Sequence, residues 1–543
     1  MRAPGFPEAS PLRHARFRAF YVGTVASALA YAMQATLTAW LMATLTPSVL
    51  MVALVQAASN APTLAFGLFA GAASDIVERR KIIVATQSVM FLVTLMLGIA
   101  AVCSVVTPYS LLATTFLIGC CYTFYQPAQL ASINDLVERT ALARGVALGA
   151  VANNAARAAG PALAGMLAAL LGTGSALIAS AMFFLVLIHA MHRAPRQPVA
   201  AGATEQLFSG LAVGLRHVRH SPAMLSLIIK NLAFGICASA LWALLPIVAR
   251  DQLALGAGGY GALFGAFGAG AVAAAFSVPF QLGRQPINNV VLSGFTLWMA
   301  GVVLVALSAE PALCIVGAFS AGTAWVTVTA SMMTAMQSLA PGWIRARAVA
   351  THYMALFSSM ALGSIVWGAV ASTSNTRIAL VLSAILLLAL LTAMQKLVLR
   401  LGDCAEVSLE TRPALISAPL AEDIAPIRYA GVAGPAENAR VLIQVEYCVE
   451  PADHEGFLEA VQDLNAMRRR HGATGWAVFS DPFAPARILE QITLPSWSEY
   501  LRLRERITIA DSACQARATK FQKPGVALVV TCLVVAVKML RTR

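Results

Sequence analysis

The sequence predicts an all-α polytopic membrane protein, with 12 transmembrane helices in two six-helix halves and a small C-terminal α+β domain. Three observations predict it. Hydrophobic residues make up 59% of the 543 and charged ones only 12%, where a soluble domain carries roughly 25% charged residues. Apolar blocks long enough to cross a bilayer recur along the first 400 residues, and the composition changes abruptly after Leu401.

A hydrocarbon core of ~30 Å needs ~20 apolar residues per helix. Six such blocks fall at 20–45, 49–73, 82–105, 110–130, 146–171 and 175–191, and six more at 225–249, 261–280, 290–307, 312–339, 349–373 and 378–398. With the N-terminus inside, the inner loops collect Arg79, Arg80, Lys81, Arg139, Arg144, Arg193, Arg196, Arg216, Arg219, Arg284, Arg345, Arg347, Lys396 and Arg400. The outer loops hold only Arg250 and Arg377. Positive loops stay cytoplasmic, so both ends of the helical body are placed there. No cleavable signal peptide is visible, and the first apolar helix is expected to start insertion itself.

The net charge of +13 sits in these short loops, without the basic runs and interleaved aromatics of a nucleic-acid surface; nucleic acid is excluded as a partner. The nine cysteines are odd in number, lack any CxxC and lie mostly within apolar blocks. That pattern predicts neither a disulfide framework nor a metal site, and no cofactor is expected.

The two halves repeat each other. "ARGVALGAVANNAARAAGPALAG" from Ala143 aligns without gaps on "ARAVATHYMALFSSMALGSIVWG" from Ala346, matching Arg144 to Arg347, Ala147 to Ala350, Gly160 to Gly363 and Gly165 to Gly368. Six-span repeats of this kind build many secondary transporters, with the substrate site between the halves.

The predicted division is 1–192 for the first half, 193–222 for a linker, 223–400 for the second half, 401–437 for a second linker, 438–521 for the α+β domain and 522–543 for an apolar tail. The first linker contains an amphipathic helix with Leu207, Leu211, Leu215 and Val218 on one side. In the C-terminal domain "ARVLIQVEYCVE" alternates as a half-buried strand. A helix follows with Phe457, Val461, Leu464 and Met467 on one stripe and Asp453 as N-cap. "GWAVFSD" and "ARILEQITL" read as strands, and "SWSE" from Ser496 as a capping box opening a second helix. The tail "GVALVVTCLVVAV" is short for a span; a strand closing the sheet or a membrane-surface segment is expected instead.

"GAASDIVERRK" resembles motif A of the major facilitator superfamily at Gly71, Asp75, Arg79, Arg80 and Lys81, departing from it at Ile76 and Glu78. With the segments "FRAFYVGTVASALAYAMQATLTAWLMATLT", "NNAARAAGPALAG" and "RARAVATHYMALFSSMALGSIVWG", the chain is similar to the branch that contains the enterobactin exporter. The C-terminal block resembles the ferredoxin-like, dimeric α+β barrel-type domain appended to some members. The resemblance implies a major facilitator fold in a bacterial inner membrane, export of a siderophore or drug-like amphipathic molecule by proton antiport, and a homodimer through the appended domain. It also implies a gate in which Asp75 caps the eleventh span near Arg345 and Arg347, and Arg79 or Arg80 pairs with Asp135 or Glu138.

Within the fifth span, Asn153, Asn154, Arg157, Gly160, Pro161 and Gly165 resemble an exporter's antiporter motif, with Ala156 and Ala164 in place of two glycines. Arg157 lies roughly 20 Å along a helix from Arg144. At that depth a lipid-facing arginine costs at least ~2.5 kcal/mol, so it is expected to face a structural partner or a wet translocation path. Pro161 permits a bend, and the small residues permit close approach of the glycine-rich eighth span, Gly265 to Gly270. Gln34, Tyr125, Gln126, Lys230, Asn231 and His352, with Trp40, Trp242 and Trp325, are candidate cavity residues. Asp75, His352 or the substrate itself is left to couple protons. No P-loop is present to supply ATP hydrolysis, and His454 and His471 are the bases an enzymatic reading of the C-terminal domain would use.

Overall fold

A computed structural model describes residues 11–137, 142–192, 216–340, 344–396, 439–505 and 509–534. Two compact units result, one drawn from Met1–Thr204, Ile228–Thr334 and Ala350–Val398, the other from Glu205–Leu227, Ala335–Val349 and Leu399–Arg543.

The long helices are α1 (Ala15–Leu45), α2 (Val49–Ile76), α3 (Arg79–Val102), α4 (Pro108–Leu136), α5 (Leu142–Leu171), α6 (Thr173–His192), α7 (Pro222–Ile247), α8 (Ala257–Leu282), α9 (Ile287–Leu307), α10 (Pro311–Leu339), α11 (Arg345–Thr373) and α12 (Thr376–Lys396). Among the described residues, ten helices are long and apolar enough to cross a membrane. Polar residues stand among the apolar ones of α4, at Gln126, Gln129, Asn134 and Asp135, and of α5, at Arg144, Asn153, Asn154 and Arg157. Local chemistry fixes several starts. Ser48 Oγ accepts from Met51 N at 3.4 Å to open α2. Thr107 and Ser110 form a reciprocal capping box at α4, with Pro108 in the first turn, where its missing N–H leaves nothing unpaired.

The packing repeats across the two halves. In the first, α2 lies on α4, α3 on α4 and α6, and α1 on α5. In the second, Gly270 of α8 abuts Phe319 of α10 and Gly301 of α9 abuts Gly317 of α10, α9 packs on α12, and Trp367 Nε1 of α11 donates to the Ile236 carbonyl of α7 at 2.8 Å. Each of these four pairings in the first half thus has its counterpart six helices later.

The second unit holds a four-stranded antiparallel sheet of β1 (Val441–Cys448), β2 (Gly475–Asp481), β3 (Ala484–Leu494) and β4 (Val529–Val534), in the order β2-β3-β1-β4. Helices α13 (His454–Arg470), α14 (Trp497–Glu505) and α15 (Ile509–Thr519) complete it. Val441, Ile443, Val445 and Tyr447 point into a core with Phe457, Val461, Leu464 and Met467, as alternation and the helical stripe require. One detail differs from the sequence reading. Asp453 occupies the N-cap of α13 but makes no side-chain cap bond, because a 3₁₀ turn, Pro451–Asp453, leads in. Ser496 Oγ accepts from Glu499 N at 3.1 Å, the bond with which a capping box opens a helix, and the Glu499 carboxylate also accepts from Arg216 at 3.0 Å. Of the two readings of the apolar tail, strand or membrane-surface segment, Val529–Val534 takes the first, as β4 pairs along β1 and closes the sheet. The linker residues Leu207, Leu211 and Leu215 lie outside the described residues.

Candidate transport site

The turn joining α2 to α3 carries the Gly71–Lys81 motif, and its cations bind the ends of neighbouring helices. Arg79 donates to the Ser74 carbonyl in the last turn of α2 at 3.4 Å and to the Ala131 carbonyl of α4 at 3.3 Å. Arg80 donates to the carbonyl of His192, the last residue of α6, at 3.0 Å. Lys81 pairs with Glu78 at 3.4 Å. Carbonyl-rich helix C-termini attract cations, so the motif ties α2, α4 and α6 together at this end. A Cβ on Gly71 would meet nothing within 4 Å. Arg345 donates to the Ala340 carbonyl at 3.4 Å, and Arg347 is half-buried. The side chains of Asp75, Asp135, Asn153, Asn154 and Arg157, and all of Glu138, lie outside what the structure describes.

At the opposite end the halves meet closely. A Cβ on Gly165 of α5 would lie 2.6 Å from Gly261 Cα and 2.8 Å from the Ala257 carbonyl of α8. Its sequence counterpart Gly368 on α11 faces α2, where a Cβ would lie 2.5 Å from Ala53 Cβ. The second matched pair behaves alike. Gly160 lies against Ala32 of α1, and Gly363 against Ile236 of α7. Pro161 is buried in α5 beside these contacts, its carbonyl oxygen 2.9 Å from where a Gly261 Cβ would stand. Between α7 and α8 a π-helical turn, Val248–Gln252, presents Arg250 to the C-terminus of α1. There its guanidinium donates to the Ala43 and Thr46 carbonyls while Asp251 accepts from its Nη2 at 2.7 Å. Trp40 stacks on Tyr260 with centroids 5.6 Å apart. The sequence marked Arg250 only as a rare outer charge, and nothing in its spacing pointed to α1.

Beneath this end lies a small recess, partly open to solvent. Gln34 and Thr38 of α1, Gln56 and Ser59 of α2, Thr115 of α4 and Trp242 of α7 supply its polar groups, with Val52, Val55 and Ile118 between them. Gln34 Nε2 donates to Thr38 Oγ1 at 2.9 Å, and the Ser59 and Tyr31 hydroxyls are 3.3 Å apart. Trp242 is held edge-on by Phe264, Phe267 and Trp325. Of the nine predicted cavity residues, Gln34 and Trp242 line this recess. Trp40 belongs to the contact with α8, and Trp325 to a ring cluster with Phe234 and Trp298. Tyr125 is buried beside Tyr122, and Gln126 is half-buried. Lys230 donates to Asn288 at 3.0 Å, and Asn231 donates to the His352 carbonyl at 2.8 Å, so this polar trio braces α7 against α9 and α11. Gln56, Ser59 and Thr115 were missed because single polar residues in apolar helices carry no distinguishing period.

In the second unit, Glu490 on β3 is wholly buried and paired with Arg468 at 2.9 Å. Tyr447 donates to it at 3.1 Å and Trp476 at 3.0 Å. Burial alone would raise the Glu490 carboxyl, but the Arg468 guanidinium and these donors more than offset that and hold it below the usual carboxylate range. His471 is buried against Asp511 at 2.8 Å, its ring 6.2 Å from that of His217. His454 opens α13.

The sequence matches the family described as transmembrane secretion effector over residues 7–539. No curated protein matches it in sequence. Among solved structures it is similar to the nucleoside transporter NupG, at 14% identity and a TM-score of 0.59, over 70% of this chain and 100% of that one. A bacterial homologue of the human lysosomal transporter Spinster gives 13% identity and a TM-score of 0.58, over 73% and 98%. A POT family transporter gives 10% and 0.58, over 71% and 96%. At such identities the likeness speaks to fold, and these neighbours are transporters rather than enzymes. With its repeated helix pairs and its family match along nearly the whole sequence, the chain belongs to the transmembrane secretion effector family of major facilitator transporters.

Proposed function

We propose that this chain exports an amphipathic small molecule, a siderophore or drug-like compound, across a bacterial inner membrane by alternating access coupled to proton antiport. The observation that carries this reading is the pairing of α5 with α8 and of α11 with α2 through matched glycines at one end, over a recess lined from both halves. Contacts confined to one end can part while the opposite end closes. All 12 long helices are taken as spans, with both ends of the body cytoplasmic. The βαββαβ order with β1 and β3 central supports a ferredoxin-like C-terminal domain, α14 and α15 together filling the second helical position. Its role in this reading is to dimerise the transporter.

Closing the motif end falls to Asp75, which sits in the last turn of α2. A carboxylate there completes the gate by capping a facing helix N-terminus, as Arg79 and Arg80 complete their helix C-termini. A deletion strain screened for accumulation identifies the compound carried. In that strain, Asp75→Asn is expected to insert and express normally yet leave accumulation as high as the deletion does. Normal efflux by a well-expressed Asp75→Asn protein rules the gate out. Uptake of the compound into inverted vesicles on acidifying their interior supports export with proton exchange, and release from them opposes it.

A further inference from the structure

We propose that Arg219, His220 and Arg469 bind the phosphate of an anionic lipid headgroup, which thereby ties the C-terminal domain to the start of α7. The proposal goes beyond transport and needs only that α7 crosses the bilayer. The turn ahead of α7, 216–220, lies against the C-terminal end of α13. Arg216 pairs with Glu499 at 3.0 Å, and its Nη2 is 3.0 Å from where a Cβ on Gly472 would stand. His217 meets His471 edge-on, with ring centroids 6.2 Å apart. The backbone closes the turn, His220 N donating to the Arg216 carbonyl at 3.1 Å. Two segments distant in sequence so bring their cations together.

The carboxylates nearby are already engaged. Glu499 holds Arg216, Asp511 holds Arg470 and His471, and Glu490 holds Arg468. Arg219 and Arg469 are exposed. Among the described residues neither has a carboxylate partner, and Arg469 donates to the Asn465 amide oxygen at 2.9 Å. His220 is half-buried. Burial, with the guanidinia of Arg469, Arg219 and Arg216, holds its imidazole below the ordinary range; an anion there relieves the repulsion. A phosphate is the complementary group, because guanidinia donate to its oxygens in pairs. The path of the chain makes that phosphate a lipid's. Pro222, three residues past Arg219, begins α7, and Leu225 and Ile229, each 37% exposed, offer apolar surface from its first turns. A cationic cluster directly before an exposed apolar face lies at headgroup depth. The positive end of the α7 dipole adds to the attraction.

The test uses the full-length chain in nanodiscs of phosphatidylcholine with a graded fraction of phosphatidylglycerol, and reads hydrogen exchange over 216–221 and 465–472. Exchange in both segments is expected to slow as the anionic fraction rises. Arg219→Gln and Arg469→Gln are each expected to raise the fraction needed for half the effect about fivefold, and Arg219→Lys and Arg469→Lys to raise it less. Arg517→Gln serves as the control, since Arg517 is an exposed arginine of the same domain paired with Asp463, and is expected to change nothing. No slowing by phosphatidylglycerol overturns the proposal. An equal loss in Arg517→Gln also overturns it, as a response to net charge alone. Slowing by millimolar glycerol phosphate or inorganic phosphate in pure phosphatidylcholine discs overturns it in favour of a soluble anion.

Discussion

Gly165→Leu is expected to abolish efflux while leaving the protein in the membrane. The added Cβ alone would stand 2.6 Å from Gly261 Cα and 2.8 Å from the Ala257 carbonyl. Both obstacles are backbone, so no side-chain rotation relieves them, and α5 and α8 must separate. Overpacking of this kind typically costs about 1–3 kcal/mol, which here falls on the closed arrangement of one end rather than on the folding of either half. A cysteine at Ser59, in a cysteine-free background, then reports the state. Labelling from the Arg250 side by an impermeant maleimide is expected to rise at least tenfold over the same protein with Gly165 intact. Gly67→Ala serves as the control, because its Cβ would meet only the Thr63 methyl at 3.6 Å, an ordinary contact. Equal labelling and full efflux in Gly165→Leu would show that the approach of α5 to α8 is not needed.

The second large effect is expected at Glu490. Its carboxylate accepts from Arg468, Tyr447 and Trp476 in a site closed to water. Glu490→Gln strands the Arg468 guanidinium, which is 1% exposed. Removing one member of a buried pair costs about 3–5 kcal/mol, enough to unfold a small domain. The same pair fixes a pH dependence. The folded carboxyl ionises below its ordinary range, so its stabilisation is complete at pH values above the unfolded value and is lost as pH falls through the folded one. Hydrogen exchange across 441–494 in the full chain is expected to speed up in Glu490→Gln at neutral pH, and in the parent only under acid. Exchange in Glu490→Gln indistinguishable from the parent would show the pair to be dispensable. The double change Glu490→Leu with Arg468→Met is expected to exchange more slowly than Glu490→Gln, since it removes both buried charges.

Much of the helical body was legible because lipid leaves a chain few options: backbone groups must pair within each span, so a run of apolar residues is a helix. The ends were less so. The apolar block of α4 stops at Leu130 while the helix continues to Leu136, since Asn134 and Asp135 end apolarity without ending hydrogen bonding. The glycine pattern told which faces approach but not in what register. The eighth span was expected to meet α5 through Gly265 to Gly270. Gly261 and Gly265 do so, against Gly165 and Ala162, whereas Gly270 faces Phe319 of α10. Glu490 had a readable signal, since it shares the core face of its strand with Ile488, Ile492 and Leu494. Its partner Arg468 hides in a run of three arginines that reads as solvated surface. The reach of Arg250 to α1 could not have been found, because what it binds there is backbone.

Cysteines replacing Ala169 on α5 and Gly258 on α8 would test the central claim most directly. The Cβ atoms would lie 3.5 Å apart, within disulfide range, at the end where the halves meet. If that end must open in every cycle, oxidising the pair halts efflux of the deletion-strain compound and reductant restores it, with either single cysteine indifferent to both. Full-rate efflux by the fully cross-linked protein would contradict alternating access at this seam.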